Sequence, residues 1–340
     1  MDIRKRWKDI LYIFLGLFLI AALMLNADVT DTLEVLSDTK LHLIALVLGL
    51  YFLNTTCKVM RWYGILKGMG AKRIGYITLP IFLASLALNN STPGKVGGEP
   101  VRALMLREHT GNRISKGIAS IFAEKSLDIL TILFLAVLGL IYMAVELGIE
   151  NVQGLIAVIG IGGVMIVLVI LLLVNRSFLV MVGRSMEKIA ILLSRGSRDS
   201  KIVGITGKLE GSIERYHRSL RTIRRNPWTG TGVIMLTFAI WTNEALRFYI
   251  VVQALPGNVS VTFPGAIAAI AVANILGFIL PIGSGNVFGS KSVLELLSVK
   301  ETTAMAASLL QVATSLWISI PLGVASLGYL RNRSKKLGNQ

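Results

Sequence analysis

A single cysteine, Cys57, leaves no partner for an intramolecular disulfide. Histidine is almost as scarce, and His42, His109 and His217 lie too far apart for metal-ligand spacing, so neither a metal nor a cofactor is expected. No Walker A run is present, which removes a nucleotide site as a source of energy. Acidic residues are also few, with Asp and Glu at 19 against 35 Lys and Arg and a formal net charge of +16. Such a balance would suit nucleic acid, but the cations cluster in segments between apolar runs. That is the pattern of cytoplasmic loops facing anionic lipid headgroups, and no nucleic-acid partner is expected.

Apolar residues are abundant, at 54% of the 340 residues. A soluble domain of this length would interleave polar positions at helical spacing, whereas "GLIAVIGIGGVMIVLVILLLV", Gly154 to Val174, has no polar face. Runs of this kind recur at about the 20 residues a bilayer crossing needs. The chain therefore reads as an all-α polytopic protein of the cell membrane. The N-terminal "RKRW" and the apolar run after it resemble a signal peptide, but no small-residue cleavage pattern follows, so residues 10–25 are read as an uncleaved first span.

Loop charges thread the rest. Basic residues at 4–8 place the N-terminus in the cytoplasm, the acidic segment 26–40 lies outside, and a second span over 41–66 returns to the basic loop of Lys67, Lys72 and Arg73. The run from Tyr76 to Asn90 is about 15 residues, or roughly 22 Å, too short for a hydrocarbon core of about 30 Å. Basic residues stand on both sides of 76–113, which predicts a re-entrant hairpin broken at Pro93-Gly94. Spans over 115–147 and 152–174 follow, then the basic loop 175–228, a span over 229–255, a second hairpin over 263–299 entered from outside, and a last helix over 302–330 with a cytoplasmic end. The expected architecture is six full spans and two oppositely oriented re-entrant hairpins. Short helices in the 175–228 loop would lie against anionic headgroups of the inner leaflet. Self-association into a homo-oligomer is left open.

The order span, span, hairpin, span occurs twice, over 1–148 and 149–340, and an odd number of crossings turns the second copy upside down. "RWY", Arg61 to Tyr63, stands about thirty residues before Pro93, and "RFY", Arg247 to Tyr249, about as far before Pro281. Paired broken helices in inverted repeats point to a transporter with its site between the halves.

The candidate site residues come from the breaks and from ions within spans. In "STPGKVGGEPVR", Pro93 and Gly94 free backbone groups, a half-helix N-terminus attracts anions, and Lys95 and Arg102 add charge. Gly98 belongs to the same run. Glu99 is read as a capping carboxylate, a partner of Arg102, or a substrate contact. Glu124 and Asp128 in "AEKSLD" share a helix face with Lys125 beside them, and at that depth they must pair, with Arg61 and Lys95 available. They are also plausible proton carriers, since desolvation disfavours a charged carboxylate. Arg247 and Glu244 are spaced to neutralise each other. Gly283, Ser284, Gly285 and Asn286 supply donors for an oxygen-rich group or close helix packing, and Lys291 is the cation of that hairpin.

At these residues the chain resembles the lysylphosphatidylglycerol synthase transmembrane family, a flippase-like module found alone or attached to bacterial aminoacyl-phosphatidylglycerol synthases. The resemblance runs over nearly the whole chain and rests on "STPGKVGGEPVR", "AEKSLDIL" and "LPIGSGNVFGS", with Pro93, Gly94, Gly98, Glu99, Arg102, Glu124 and Asp128 at the matching positions. It implies transbilayer movement of a lipid: an aminoacylated phosphatidylglycerol, another phospholipid, or a polyprenyl-phosphate sugar. The second motif departs from the family's Pro-Gly-Gly and later glutamate, having Gly283-Ser284-Gly285 and Ser290 near the acid's place. The chain ends soon after the last expected span, so no aminoacyl transferase activity is carried over.

The expected function is thus a transporter rather than an enzyme, moving an anionic or phosphate-bearing membrane lipid. The alternatives are a membrane-embedded enzyme of lipid headgroup or polyprenyl-phosphate glycosyl transfer, and a scaffold that recruits partners through its basic loop. In a Cys57-free background, single cysteines at Tyr76 and Arg113 are predicted to label from the same membrane face. Labelling from opposite faces would remove the first hairpin and the repeat built on it.

Overall fold

The computed structural model describes residues 18–25, 28–92, 97–146, 227–257, 259–280 and 283–338, and all regular structure among them is helical. The expected span 152–174, most of the basic loop 175–228, and Pro93, Gly94 and Lys95 lie outside the described residues, as does the first half of the span 10–25. Helix α1, Val29–Ser37, occupies the acidic segment read from sequence as a loop, because Asp28 caps it by accepting from the Thr30 and Asp31 amides at 3.0 and 3.3 Å. It is followed by α2, Leu41–Gly68; the short pair α3, Thr78–Asn90, and α4, Gly98–Thr110; and α5, Ile114–Glu146. After residue 226 come α6, Pro227–Ala254; a second short pair, α7, Phe263–Ile279, and α8, Ser284–Leu296; and then α9, Glu301–Val312.

The last expected helix is not a single α-helix. A π-helical segment, Ala313–Trp317, separates α9 from α10, Ile318–Gly338. Pro321, inside α10, has no amide to return to Trp317, so the ladder is weakened where the π-turn sits. A second correction concerns "GSGN". The helix begins at Ser284, which puts Ser284, Gly285 and Asn286 in the first turn of α8, with Gly283 at φ 81° as the left-handed residue before it.

Among the described residues three helical stretches are long and apolar enough to cross a membrane: Leu41–Gly68, Ile114–Val145 and Glu301–Ser334. Helix α6 is as long as α2, at 28 residues, but carries Asn243, Glu244 and Arg247 in its middle. The three 13-residue helices α3, α4 and α8 reach only about 20 Å each, short of the hydrocarbon core.

Packing between the helices up to residue 146 (the first set) and those after residue 226 (the second set) is reciprocal. Helix α2 lies on α6; α3 packs on α10, and α7 packs on α5. Each short pair packs on itself and then on the helix that follows it, α4 on α5 and α8 on α9. Glycines set the close approaches at matching places. A Cβ at Gly98 would stand 1.9 Å from the Ser85 carbonyl oxygen, and one at Gly285 2.2 Å from that of Leu276. Between the sets, a Cβ at Gly139 would lie 2.6 Å from the Ala268 Cα, and one at Gly323 2.1 Å from the Ala87 Cβ.

Two apolar cores occupy opposite ends. Trp62, Leu66, Ile81, Phe82, Leu106 and Leu330 form one around the first short pair, and Phe248, Leu255, Ala269, Leu294 and Ala304 belong to the other around the second. The aromatic after each arginine of "RWY" and "RFY" is therefore the anchor of its own short pair. Loop contacts sort the ends in the same way. Lys116 reaches the Gly70 carbonyl at 2.6 Å and Arg333 the Tyr76 hydroxyl at 2.8 Å, while Lys40 N–H bonds Ala254 and Thr262 bonds Tyr142 at the far end.

Gly98→Ala and Gly285→Ala are each predicted to destabilise by about 1–3 kcal/mol through overpacking, read as a lower melting temperature in detergent. Gly49→Ala, in the interior of α2 with nothing within 4 Å of the new Cβ, should melt at or above the parent temperature.

Candidate functional site

Between the two cores lies a cavity of about 180 Å³, lined from both sets of helices by charged and polar side chains set among apolar ones. The inner ends of both short pairs reach it, through Ser85, Asn89 and Asn90 of α3, Asn274 of α7 and Asn286 of α8. Spans exclude polar groups unless they face such an interior, which is why the ionisable residues of α2, α5 and α6 converge here.

Arg61, only 1% exposed, is the hub of one side. Its guanidinium donates to both oxygens of Asp128, at 2.6 and 3.1 Å, to Glu124 at 3.2 Å and to the Thr237 hydroxyl at 3.3 Å. Trp241 Nε1 donates to Asp128 at 3.0 Å. Glu124 is shared with Arg102 at 3.0 Å, and Arg102 is held against the faces of Trp62 and Phe82 at 4.9 and 5.1 Å. The bidentate fork suits a planar carboxylate held among apolar helices.

The other side centres on Arg247, which is fully buried. It pairs with Glu244 at 3.1 Å, donates to the Thr314 carbonyl at 3.0 Å and lies 5.1 Å from the Tyr51 ring. Glu244 also accepts from Lys58 at 2.8 Å and Asn54 at 2.7 Å. The surroundings of the two arginines mirror each other. Arg61 reaches Asp128 and Arg247 reaches Thr314, each 67 residues downstream. Arg61 touches Thr237 and Arg247 touches Tyr51, each ten residues before the opposite arginine. Lys58 and Glu244, each three residues before its arginine, meet each other. Where the first set offers a carboxylate, the second offers a carbonyl in the π-helical segment, whose interrupted ladder allows it to take an outside donor.

Among the described residues the charges do not balance. Lys58, Arg61, Arg102, Lys125 and Arg247 meet four carboxylates, Glu99, Glu124, Asp128 and Glu244. The surplus cation belongs to the Glu244 group, where Lys58 and Arg247 share one acid. Gln311 Oε1 and Arg247 Nε, both buried, find no hydrogen-bond partner among the described residues.

Of the residues expected at the site, Arg61, Arg102, Glu124, Lys125, Asp128 and Asn286 line the cavity. Glu99 does not pair with Arg102; it pairs with Lys125 at 2.9 Å, because Arg102 points to α5 and its acid. The first amides of α4 are also taken, Gly97 by Thr92 at 3.0 Å and Gly98 by Asn89 at 2.7 Å, so this N-terminus does not present those donors to a ligand. Gly98, Gly283, Ser284 and Gly285 form the turns and close packing of the short pairs rather than the cavity wall. Lys291 lies apart, paired with Glu295 at 2.6 Å and Glu301 at 2.7 Å. Glu124 and Asp128 are each compensated by a guanidinium, and proton carriage would require one of those pairs to open. Lys58, Tyr51 and Trp241 were not among the expected residues. Extending the "RWY" and "RFY" comparison three residues upstream would have found Lys58 opposite Glu244.

A family model described as the lysylphosphatidylglycerol synthase TM region matches residues 10–323. The chain is similar to a UPF0104 membrane protein of Methanothermobacter thermautotrophicus, 25% identical over 332 residues that cover 95% of each chain. It is also similar to Glycosyltransferase AglD of Haloferax volcanii, 24% identical over 349 residues, taking in 96% of this chain and 55% of that one. Nearly half of AglD thus lies outside the match.

Removing Arg61 strands Asp128, while Glu124 keeps Arg102. Arg61→Leu is predicted to cost about 3–5 kcal/mol, and the double variant with Asp128→Asn, which leaves Arg102 paired with Glu124, should regain most of it, as measured by thermal unfolding.

Proposed function

The chain belongs to the lysylphosphatidylglycerol synthase transmembrane family, and from that premise we propose that it moves a phosphate-bearing lipid between leaflets through the central cavity. The observation that carries this reading is the surplus cation, among the described residues, of the group Lys58, Glu244 and Arg247, of which Lys58 and Glu244 line a cavity bordered by the inner ends of two short helical pairs. A monoanionic phosphodiester restores neutrality in a low-dielectric interior, and charge-assisted bonds to it are among the strong ones. At about 180 Å³ the cavity is smaller than the roughly 300–1,000 Å³ of pockets that enclose drug-sized ligands, so it has room for a headgroup and not for the whole lipid. The hydrocarbon chains remain in lipid.

The reciprocal packing and the mirrored arginines support an inverted repeat with two re-entrant hairpins. In this reading the pair α3 and α4 opens toward the cytoplasm and α7 and α8 toward the outside, and rocking of one set against the other exposes the cavity alternately. The contacts to be broken differ on the two sides: Lys125 with Glu99 next to α4, and Lys291 with Glu301 between α8 and α9. The gradient of the lipid itself or of an ion supplies the direction.

A second reading is a membrane module of lipid-linked glycosyl transfer, favoured by the similarity to AglD along almost all of this chain. The two readings share a phosphate-bearing lipid and differ in whether a bond changes.

The test is reconstitution in proteoliposomes with fluorescent phosphatidylglycerol and a polyprenyl phosphate. Leaflet exchange with no new chemical species is expected. Lys58→Gln should slow it about tenfold, the loss of one charge-assisted bond, with the fold intact because Arg247 and Asn54 still hold Glu244. A new lipid species would favour transfer chemistry, and exchange unaffected by Lys58→Gln would refute the anion subsite.

A further inference from the structure

A second basic hollow lies outside the central cavity. Lys72, Arg73, Arg113 and Lys116 line a hollow of about 550 Å³ together with Thr110, Gly111 and Asn112, and no carboxylate is among its walls. None of the four cations has a carboxylate partner among the described residues. Two loops some forty residues apart are brought together to make it. The buried Asn112 clamps Lys72 from both sides, its Oδ1 accepting from the Lys72 amide at 3.1 Å and its Nδ2 donating to the Lys72 carbonyl at 2.6 Å. A further bond runs from Nδ2 to the Thr110 hydroxyl at 2.7 Å. Lys116 ties α5 to the end of α2 through the Gly70 carbonyl.

The charge rule for membrane loops accounts for cations on this side of the protein. It does not account for their convergence on one concave site, where each repels the others. Nor does it account for Arg73, which holds φ at 54°, a left-handed conformation that costs an L-residue energy and that glycine adopts freely. An arginine kept in a conformation suited to glycine is being kept for its side chain. A multiply bonded anion is the partner that turns this repulsion into attraction, and the first turn of α5, beginning at Ile114, adds the positive end of a helix.

We propose that this hollow binds a phosphate group at the membrane face the loop charges assign to the cytoplasm, separately from the central cavity. Two sources share that chemistry: the headgroup of an anionic phospholipid in the inner leaflet, and a soluble phosphate compound. The proposal does not depend on lipid movement through the centre.

The experiment uses the purified full chain in a zwitterionic detergent, with binding of dioctanoyl phosphatidylglycerol and dioctanoyl phosphatidylcholine followed by native mass spectrometry, and glycerol phosphate and inorganic phosphate as competitors. Phosphatidylglycerol is expected to bind and phosphatidylcholine to bind much less. Arg73→Gly should weaken phosphatidylglycerol binding about fivefold, the effect of one cation near an anionic surface, while the melting temperature stays level or rises because the backbone strain is relieved. Lys72→Gln with Arg113→Gln should weaken it further. Displacement by glycerol phosphate identifies a site open to soluble phosphate compounds, and failure of both competitors identifies a headgroup seated with its chains in the bilayer. Binding that is equal in the parent and in both variants, or equal for the two lipids, would overturn the assignment.

Discussion

A charge held among apolar helices has to be neutralised where it stands, and the bundle is organised around that requirement. Arg61 meets it with two acids from one helix, Glu124 and Asp128, and this three-way contact fixes the distance and rotation between α2 and α5. Arg102 joins through Glu124, which ties the inner end of a short helix to the same node. Because desolvated ions without partners are so costly, the register of these three helices is set more tightly than apolar packing alone would set it. Apolar contacts at the two ends tolerate slippage; the ionic node between them does not.

The second set of helices solves the same problem with different chemistry. Arg247 has no acid 67 residues downstream, and the chain supplies instead a carbonyl from the π-helical segment, Glu244 from its own helix and the face of Tyr51. Among the described residues, one side is therefore balanced and the other has a cation in excess. In the proposed function, this difference in charge between the two sides is what an anionic headgroup would answer. Close-packed glycines serve the same end from outside the cavity: Gly98 and Gly285 allow each short pair to stay narrow enough to reach the centre with both of its inner ends.

Much of this was legible in the residues. The apolar run before "STPGKVGG" is too short to cross a bilayer, and the side assigned to the chain's basic end asks the same in-and-out path of 263–299; each place holds one short helix followed in the chain by another. Glu124 and Asp128 at helical spacing imply a common partner, and Arg61 was available at a comparable depth. The pairing of Glu99 with Lys125 was not legible, because Arg102 lies three residues away in sequence and only the position of α5 shows that it points elsewhere. Lys58 was missed because a lysine near a helix middle looks like any other until its partner on α6 is known. The interruption at Ala313–Trp317 was signalled by Pro321, a donor missing one turn further on.

Composition and the spacing of apolar runs by themselves determined that the chain is a helical membrane protein and that Arg61, Glu124, Asp128 and Arg247 carry charge at depth. These are properties of segments, set by local hydropathy and backbone chemistry, and they can be read one segment at a time. Which charges meet was decided only by the tertiary structure. Arg61 with Asp128, Lys58 with Glu244, and the convergence of Lys72 and Arg113 each join residues from separate helices or loops. The physical reason is that an ion pair depends on distance in space to within about an ångström, and no spacing along a chain specifies that until the helices are packed.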